Sequence, residues 1–242
     1  MRSSTVVARN LPEHARNAIH TDAGARAQGF PRALVAGVTT YAYLVHPAID
    51  AWGLDWVAHG GGEVRFRRPV FDGDTVRCVP TPDEVDGDGA FSIAALTDEP
   101  EQPRAVFRAV PSGGPLTPMR PGDDLPVKHL RLEGEWGADY AVRAGDDLTL
   151  CPDLGIVHPA AWPALANNVM HTELVRGAWI HTRSIVRHHA TAPAGAIAEV
   201  RSRVVRRFRS HGERAVIDVH IAVDGVVVAS LEHEAIVDLS TA

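Results

Sequence analysis

The chain has 242 residues, 45% of them hydrophobic and 22% charged, enough apolar material for one large core or two small ones, which argues against global disorder. Its formal net charge of -6 gives no whole-molecule electrostatic reason to bind nucleic acid or an anionic membrane surface, so a small molecule or a protein is the expected partner. Cys78 and Cys151 stand far apart with no second ligand pair nearby; they suggest neither a disulfide framework nor a zinc knuckle and read as small buried apolar groups.

The first residues, MRSSTVVARNLPEH, lack the apolar run of a signal peptide. No apolar stretch approaches the ~20 residues needed to cross a bilayer, so a soluble, cytoplasmic chain is expected. Residues 17–30, NAIHTDAGARAQGF, form a polar stretch around Asn17 and His20. Behind it, Tyr41, Leu44, Val45, Ile49 and Trp52 recur near helical spacing and Gly53 supplies a stop, which predicts a buried helix over residues 38–51. Strand-like runs follow at residues 62–80, 90–97 and 104–111, the first containing an Asp72-Gly73-Asp74 turn.

Residues 111–126 concentrate Pro, Gly and Asp, the composition of an extended connector. The chain therefore divides into a first unit, 1–112, a linker, 113–126, and a second unit, 127–242. In the second unit the order recurs: a helix within residues 158–175, then strand-like runs at 178–189, 195–209, 214–225 and 226–239. Asp224-Gly225 is a strong hairpin signal between the last two. Two antiparallel sheets, each covering one helix, are the economical architecture, because each sheet needs something to cover its apolar face.

Asn17, His20, Gly29-Phe30, the helix opening at Gly37 and the later Pro69-Val70 and Gly73-Asp74 together resemble the MaoC-like acyl-CoA dehydratases and (R)-specific enoyl-CoA hydratases. The resemblance covers most of residues 10–110 and, more weakly, 140–240. It implies an α+β double hot dog: two antiparallel sheets each wrapped on a central helix, a pseudo-dimer in one chain. It also implies an acyl thioester as substrate, with coenzyme A present only as part of that substrate and no other cofactor; the histidine spacing, separately, gives no metal site. Edge pairing between sheets makes a homodimer possible.

The resemblance makes His20 the catalytic acid or base and the Gly37 backbone N–H the donor to the developing oxyanion, where free helical N–H groups gather. Asn17 falls on the motif's amide, and a side chain bonding its local turn is its preferred structural role. Ala36, Val38 and Tyr41, around the helix opening, are the positions expected to touch substrate. The family's Asp is Ala15 here, its helix-opening His is Ala36 and its Pro is Ala18. Glu13, His14 and Asp22 are near enough in sequence to substitute. In the second unit Gly145 and Asp146 match the start of the motif, but Leu148 and Cys151 occupy its Asn and His positions. Pseudo-twofold symmetry would put Asp146 in a separate site, out of hydrogen-bond reach of His20's substrate.

Other groups read mainly as structure. Arg201, Arg203, Arg206, Arg207 and Arg209 suit the solvated face of a strand, with Arg207 a candidate for the phosphates of coenzyme A. His181, His188, His189 and His220 lack a metal-binding spacing, and in LEHEAI the strand period throws Glu232 and Glu234 to one side and His233 to the other. His158 and Trp162 open the second helix, where a second pocket could form, and Ser184 and Ser210 show no organised triad. Three functions follow: a hydro-lyase acting on acyl thioesters, which ranks first; a thioesterase with water placed by Glu13, Asp22 or a second-unit group; and a non-catalytic acyl-thioester binder or scaffold.

Overall fold

In the computed structural model, which describes residues 1–83 and 87–238, the two halves of the chain repeat one strand order. The first comprises β1 (Ser4–Val7), α1 (Asp22–Ala27), α2 (Gly37–His59), β2 (Gly61–Phe66), β3 (Thr75–Pro82), β4 (Phe91–Leu96) and β5 (Ala105–Val110). The second comprises β6 (Asp123–Asp124), β7 (Lys128–Arg131), α3 (Tyr140–Arg143), α4 (Leu150–Leu154), α5 (Ala161–Glu173), β8 (Ile180–His188), β9 (Ile197–Arg209), β10 (Glu213–Val223) and β11 (Val226–Asp238). Strands run β1-β3-β4-β5-β2 in one half and β7-β9-β10-β11-β8 in the other, antiparallel throughout. This is the double hot dog, with one refinement: β2 pairs with β8, so the two sheets are a single continuous one.

Each central helix is where its sequence pattern leads. Every residue of α2 from Val38 to Val45 is buried, as expected of a helix enclosed by a curved sheet rather than lying on a surface. In β5, Ala105, Phe107 and Ala109 alternate inward against it, the period of two that a half-buried strand requires. The helix outruns the predicted span of 38–51. Gly53 does leave the helical path, at φ 61° and ψ -147°, but the chain then resumes helical turns to His59. Those turns seat Trp56, whose Nε1 donates to the Val110 carbonyl at 2.9 Å and whose ring packs edge-on against Phe107 and His188.

Glycine is needed at the seam. A Cβ on Gly61 would stand 2.4 Å from the Val186 carbonyl oxygen across the β2–β8 pairing. At the β10–β11 turn, Asp224 and Gly225 take φ of 50° and 79°, the doubly positive geometry of a two-residue hairpin. The linker is bound rather than free. Asp123 and Asp124 pair with β9, Leu125 N–H donates to the Ser202 carbonyl, and the Arg120 guanidinium holds Asp218 and Glu232. Cys78 and Cys151 are buried free thiols, pushed up to about 12 by burial. Among the described residues no helix is long and apolar enough to cross a membrane.

Phe107 is fully buried, edge-on to both Tyr41 and Trp56. Phe107→Ala is expected to cost about 3–5 kcal/mol. Leu116→Ala, at a position 44% exposed, should change stability by less than about 0.5 kcal/mol. Chemical denaturation of both variants checks the contrast.

Candidate functional site

A cavity of about 310 Å³ opens where the two halves meet. Its walls are the polar segment around His14, Asn17 and His20, the start of α2, the chain just after β2, and residues of α5, β8, β10 and β11. The polar segment is two short 3₁₀ turns, Pro12–Arg16 and Ala18–His20, followed by α1, whose N-cap Thr21 accepts from the Gly24 N–H.

These turns are fixed chiefly by contacts to the second half. Glu13 pairs with Arg143 at 2.7 Å and Arg16 with Glu135. His14 Nε2 hydrogen-bonds the Tyr140 hydroxyl at 2.9 Å, and that hydroxyl lies 2.6 Å from Thr39 Oγ1. Asn17 Nδ2 donates to the Trp179 carbonyl at 3.0 Å. The local-turn role expected for Asn17 is therefore corrected: the amide ties the two halves together, and its buried Oδ1 has no partner among the described residues.

His20 Nδ1 donates to the Leu34 carbonyl at 2.8 Å, which leaves the Nε2 lone pair bare, with no protein partner among the described residues. Burial lowers its pKa to about 4, opposed by the Leu34 carbonyl and assisted by the Arg16 charge. Burial, with the charges of His20, Arg16 and Arg143, lowers His14 to about 3. Both rings, 5.8 Å apart, are neutral near pH 7.

Opposite them begins α2, a 23-residue helix. The Gly37 and Val38 N–H groups have no protein acceptor among the described residues, the usual state of a helix's first donors. Ala36 and Gly37 line the cavity. A Cβ on Gly37 would lie 3.4 Å from both His181 Nδ1 and Phe66 Cζ, so glycine keeps space free beside those donors.

Four expected site residues lie off the wall. Val38 and Tyr41 turn into the core, Tyr41 against Phe107. Asp22 is 59% exposed, paired with Arg26, and its Oδ1 accepts from the Ala33 N–H, so it braces the loop from outside. Arg207 is exposed on β9 and pairs with Glu213, as Arg203 pairs with Asp124 and Arg201 with Glu199; these guanidiniums belong to the solvated strand face.

The second half supplies groups that sequence reasoning missed. His181 Nε2 lies 2.8 Å from Ser184 Oγ, which lies 2.8 Å from His233 Nδ1. His181 and Ser184, three apart on β8, would face opposite sides of a regular strand. A bulge at Thr182, where the β11 partner shifts between Glu234 and Ala235, turns both inward; the sequence alone gives no sign of it. Arg16, Arg67, Arg68 and Arg214 are on the wall and, among the described residues, no carboxylate is, so neither Glu13 nor Asp22 supplies an acid there. Arg214 pairs with Glu234. Arg67 and Arg68 are exposed and have no side-chain partner among the described residues.

Elsewhere, His46 Nδ1 donates to buried Asp146 Oδ1 at 2.6 Å. Burial opposes charge on His46, yet the carboxylates of Asp146, Asp147 and Asp50 raise its pKa. His46, Asp146 and Asp147, with donor atoms within 4.8 Å of one another, could hold a metal ion, away from the cavity. His158 Nδ1 accepts from the Ala160 N–H at 3.1 Å, bracing the start of α5.

No protein-family model and no curated protein matches the sequence. Solved structures do match in fold. A double hotdog protein of Mycobacterium tuberculosis, essential for bacterial survival during infection, superposes with a TM-score of 0.68 at 12% identity over 98% of this chain and 96% of the other. A candidate MaoC domain dehydratase from Chloroflexus aurantiacus J-10-fl gives 0.63 at 13%, over 97% and 95%. An acyl-CoA thioesterase II from Mycobacterium marinum gives 0.52 at 12%, over 85% and 90%.

His14, His20, His158, His181 and His188 are held at about 3 to 4 against an ordinary 6.5, in each case first by burial. The unfolded chain thus binds more protons than the native one between about pH 4 and 6.5. The stability these neutral imidazoles contribute is present above the ordinary histidine pKa and is lost progressively as pH drops through that window. The urea midpoint should drop steeply from pH 7 to pH 5; an unchanged midpoint would show that these imidazoles titrate normally.

Proposed function

We propose that this double hot dog chain is a hydro-lyase acting on an acyl thioester of coenzyme A, adding water across the double bond next to the thioester or removing it. The observation that carries this reading is His20: a neutral imidazole whose bare Nε2 belongs to a cavity also lined by the unpaired N–H end of α2.

In the hydration direction, His20 Nε2 takes a proton from water as the water oxygen bonds to Cβ. The electron pair of the double bond moves toward the thioester oxygen, and the resulting enolate is held by the Gly37 N–H and the positive end of α2. The imidazolium then returns its proton to Cα. One group serves as base and acid in turn, which meets the lack of any carboxylate on the wall. Apolar side chains such as Ile19, Leu34 and Ile180 line the acyl space. Arg67 and Arg68 offer charge-assisted hydrogen bonds to the phosphates of the carrier.

The thioesterase reading with water placed by Glu13 or Asp22 lacks a geometry: Glu13 is engaged by Arg143, and Asp22 lies outside the cavity. A binder that performs no chemistry would need neither the bare nitrogen nor its fixed tautomer.

With a panel of enoyl thioesters, His20→Ala should lower kcat/KM by about 100-fold or more. The pH profile of the unaltered protein should lack an acid limb between about pH 6 and 8, because burial lowers the His20 pKa to about 4. Hydration no faster than in the His20→Ala control ends the hydro-lyase reading; release of free thiol would indicate hydrolysis, and tight binding without turnover a binder. Replacing both Arg67 and Arg68 by Ala should raise KM roughly tenfold at low salt with kcat unchanged, the difference shrinking as salt screens the phosphates.

A further inference from the structure

From His181 on the second-half wall a buried chain of three side chains runs inward, unused by the reaction above: His181, Ser184 and His233, respectively 5%, 0% and 0% exposed. Ser184 Oγ sits 2.8 Å from His181 Nε2 and 2.8 Å from His233 Nδ1. Burial holds both imidazoles neutral at pH 7, so each ring carries one proton.

A serine hydroxyl has one proton to give. It can donate to one of the two nitrogens beside it, and the other nitrogen must donate to Ser184 Oγ. The two rings are therefore locked to the same tautomer. Either both are protonated at Nδ1, and His181 presents an N–H at its outer nitrogen, or both are protonated at Nε2, and His181 presents a lone pair there.

That outer nitrogen, His181 Nδ1, is buried and makes no hydrogen bond among the described residues, although the Arg183 backbone acts on the ring against the effect of burial. It belongs to a residue of the cavity wall, and a Cβ on Gly37 would lie 3.4 Å from it. It thus stands at the mouth of the N–H end of α2. Phe66 packs on the ring with centroids 4.6 Å apart, and His233 lies 4.2 Å away on centroids, so the ring cannot readily turn away.

We infer that His181 is a second oxyanion donor of this site, giving an Nδ1–H hydrogen bond to the same thioester oxygen as the Gly37 N–H, with its tautomer set by Ser184 and His233. The inference rests on the acyl-thioester reading above. An acceptor oxygen at this place selects the Nδ1–H state of both rings, since the alternative would set the His181 lone pair against it. No proton leaves His181: it is a donor to the oxyanion, and Ser184 and His233 are positioning residues.

The test uses the full chain with ¹⁵N-labelled histidine and an acyl-CoA analogue in which a methylene separates sulfur from the carbonyl, leaving a ketone that cannot be hydrolysed. Long-range ¹H–¹⁵N spectra should show His181 and His233 sharing one tautomer in the free protein and both protonated at Nδ1 with the analogue bound. In Ser184→Ala the two rings should no longer follow each other. His181→Ala should lower kcat about 100-fold with KM little changed, Ser184→Ala roughly tenfold, and His181→Asn, whose amide places a donor near the former Nδ1, should recover part of the loss. Different tautomers on the two rings in the free protein, or tautomers in Ser184→Ala that match the unaltered protein, would overturn the inference. So would a change confined to KM. Analogue binding with His181 Nδ1 left bare removes this inference alone, whereas an analogue that does not bind removes the acyl-thioester reading as well.

Discussion

The pairing of β2 with β8 is the contact on which the rest depends. Gly61 to Arg65 run antiparallel to Arg183 to Arg187, and Arg183 bridges Glu63 of β2 and Glu232 of β11. This seam sets the residues leading into β8 and its first residues beside the start of α2. It makes one cavity wall from both halves: Gly37 and His20 from the first, Trp179 and His181 from the second. The loop carrying His20 is then held by Asn17, His14, Glu13 and Arg16, each of which reaches a second-half partner. A first unit cut from its partner would lose these ties and the second-half wall of its pocket.

The electrostatics of the cavity follow from a wall that carries guanidiniums and imidazoles and, among the described residues, no carboxylate. Among the described residues no carboxylate on the wall favours a charged imidazole, the carbonyls of Leu34 and Arg183 only partly offset burial, and His14, His20 and His181 are left neutral. A neutral imidazole with one nitrogen committed to a carbonyl is a base on its other side, and the same low polarity strengthens hydrogen bonds to a developing oxyanion. Guanidiniums complete the polar lining, two of them neutralised by Glu135 and Glu234 and two free near solvent. The result is a site suited to a ligand with an electron-rich oxygen and an anionic tail.

Much of the fold was legible because its signals are local: the apolar repeat of α2, the alternation of β5, and Asp224-Gly225 at a turn. His20 and Gly37 were legible through spacing, since a motif preserves the order of a loop and a helix start. What escaped depends on partners distant in sequence. Asn17 bonds residue 179, the extra turn of α2 exists to seat Trp56 against Phe107 and His188, and the linker is captured by β9 to β11. His181 and Ser184 escaped because a bulge at Thr182 breaks the period from which strand faces are read. Arg207 was misplaced for the opposite reason, since a dense run of arginines describes a solvated face and says nothing about where the cavity opens.

The central claim is that the seam cavity binds an acyl thioester with its carbonyl at the start of α2 and its reacting carbons toward His20. A crystal structure with the ketone analogue of an acyl-CoA tests this most directly. The account predicts the analogue's carbonyl oxygen within about 3 Å of the Gly37 nitrogen, the acyl chain among Ile19, Leu34 and Ile180, and the phosphates near Arg67 and Arg68. An analogue seated in the second half beside His46 and Asp146, or in the seam cavity with its carbonyl turned away from α2, would contradict it.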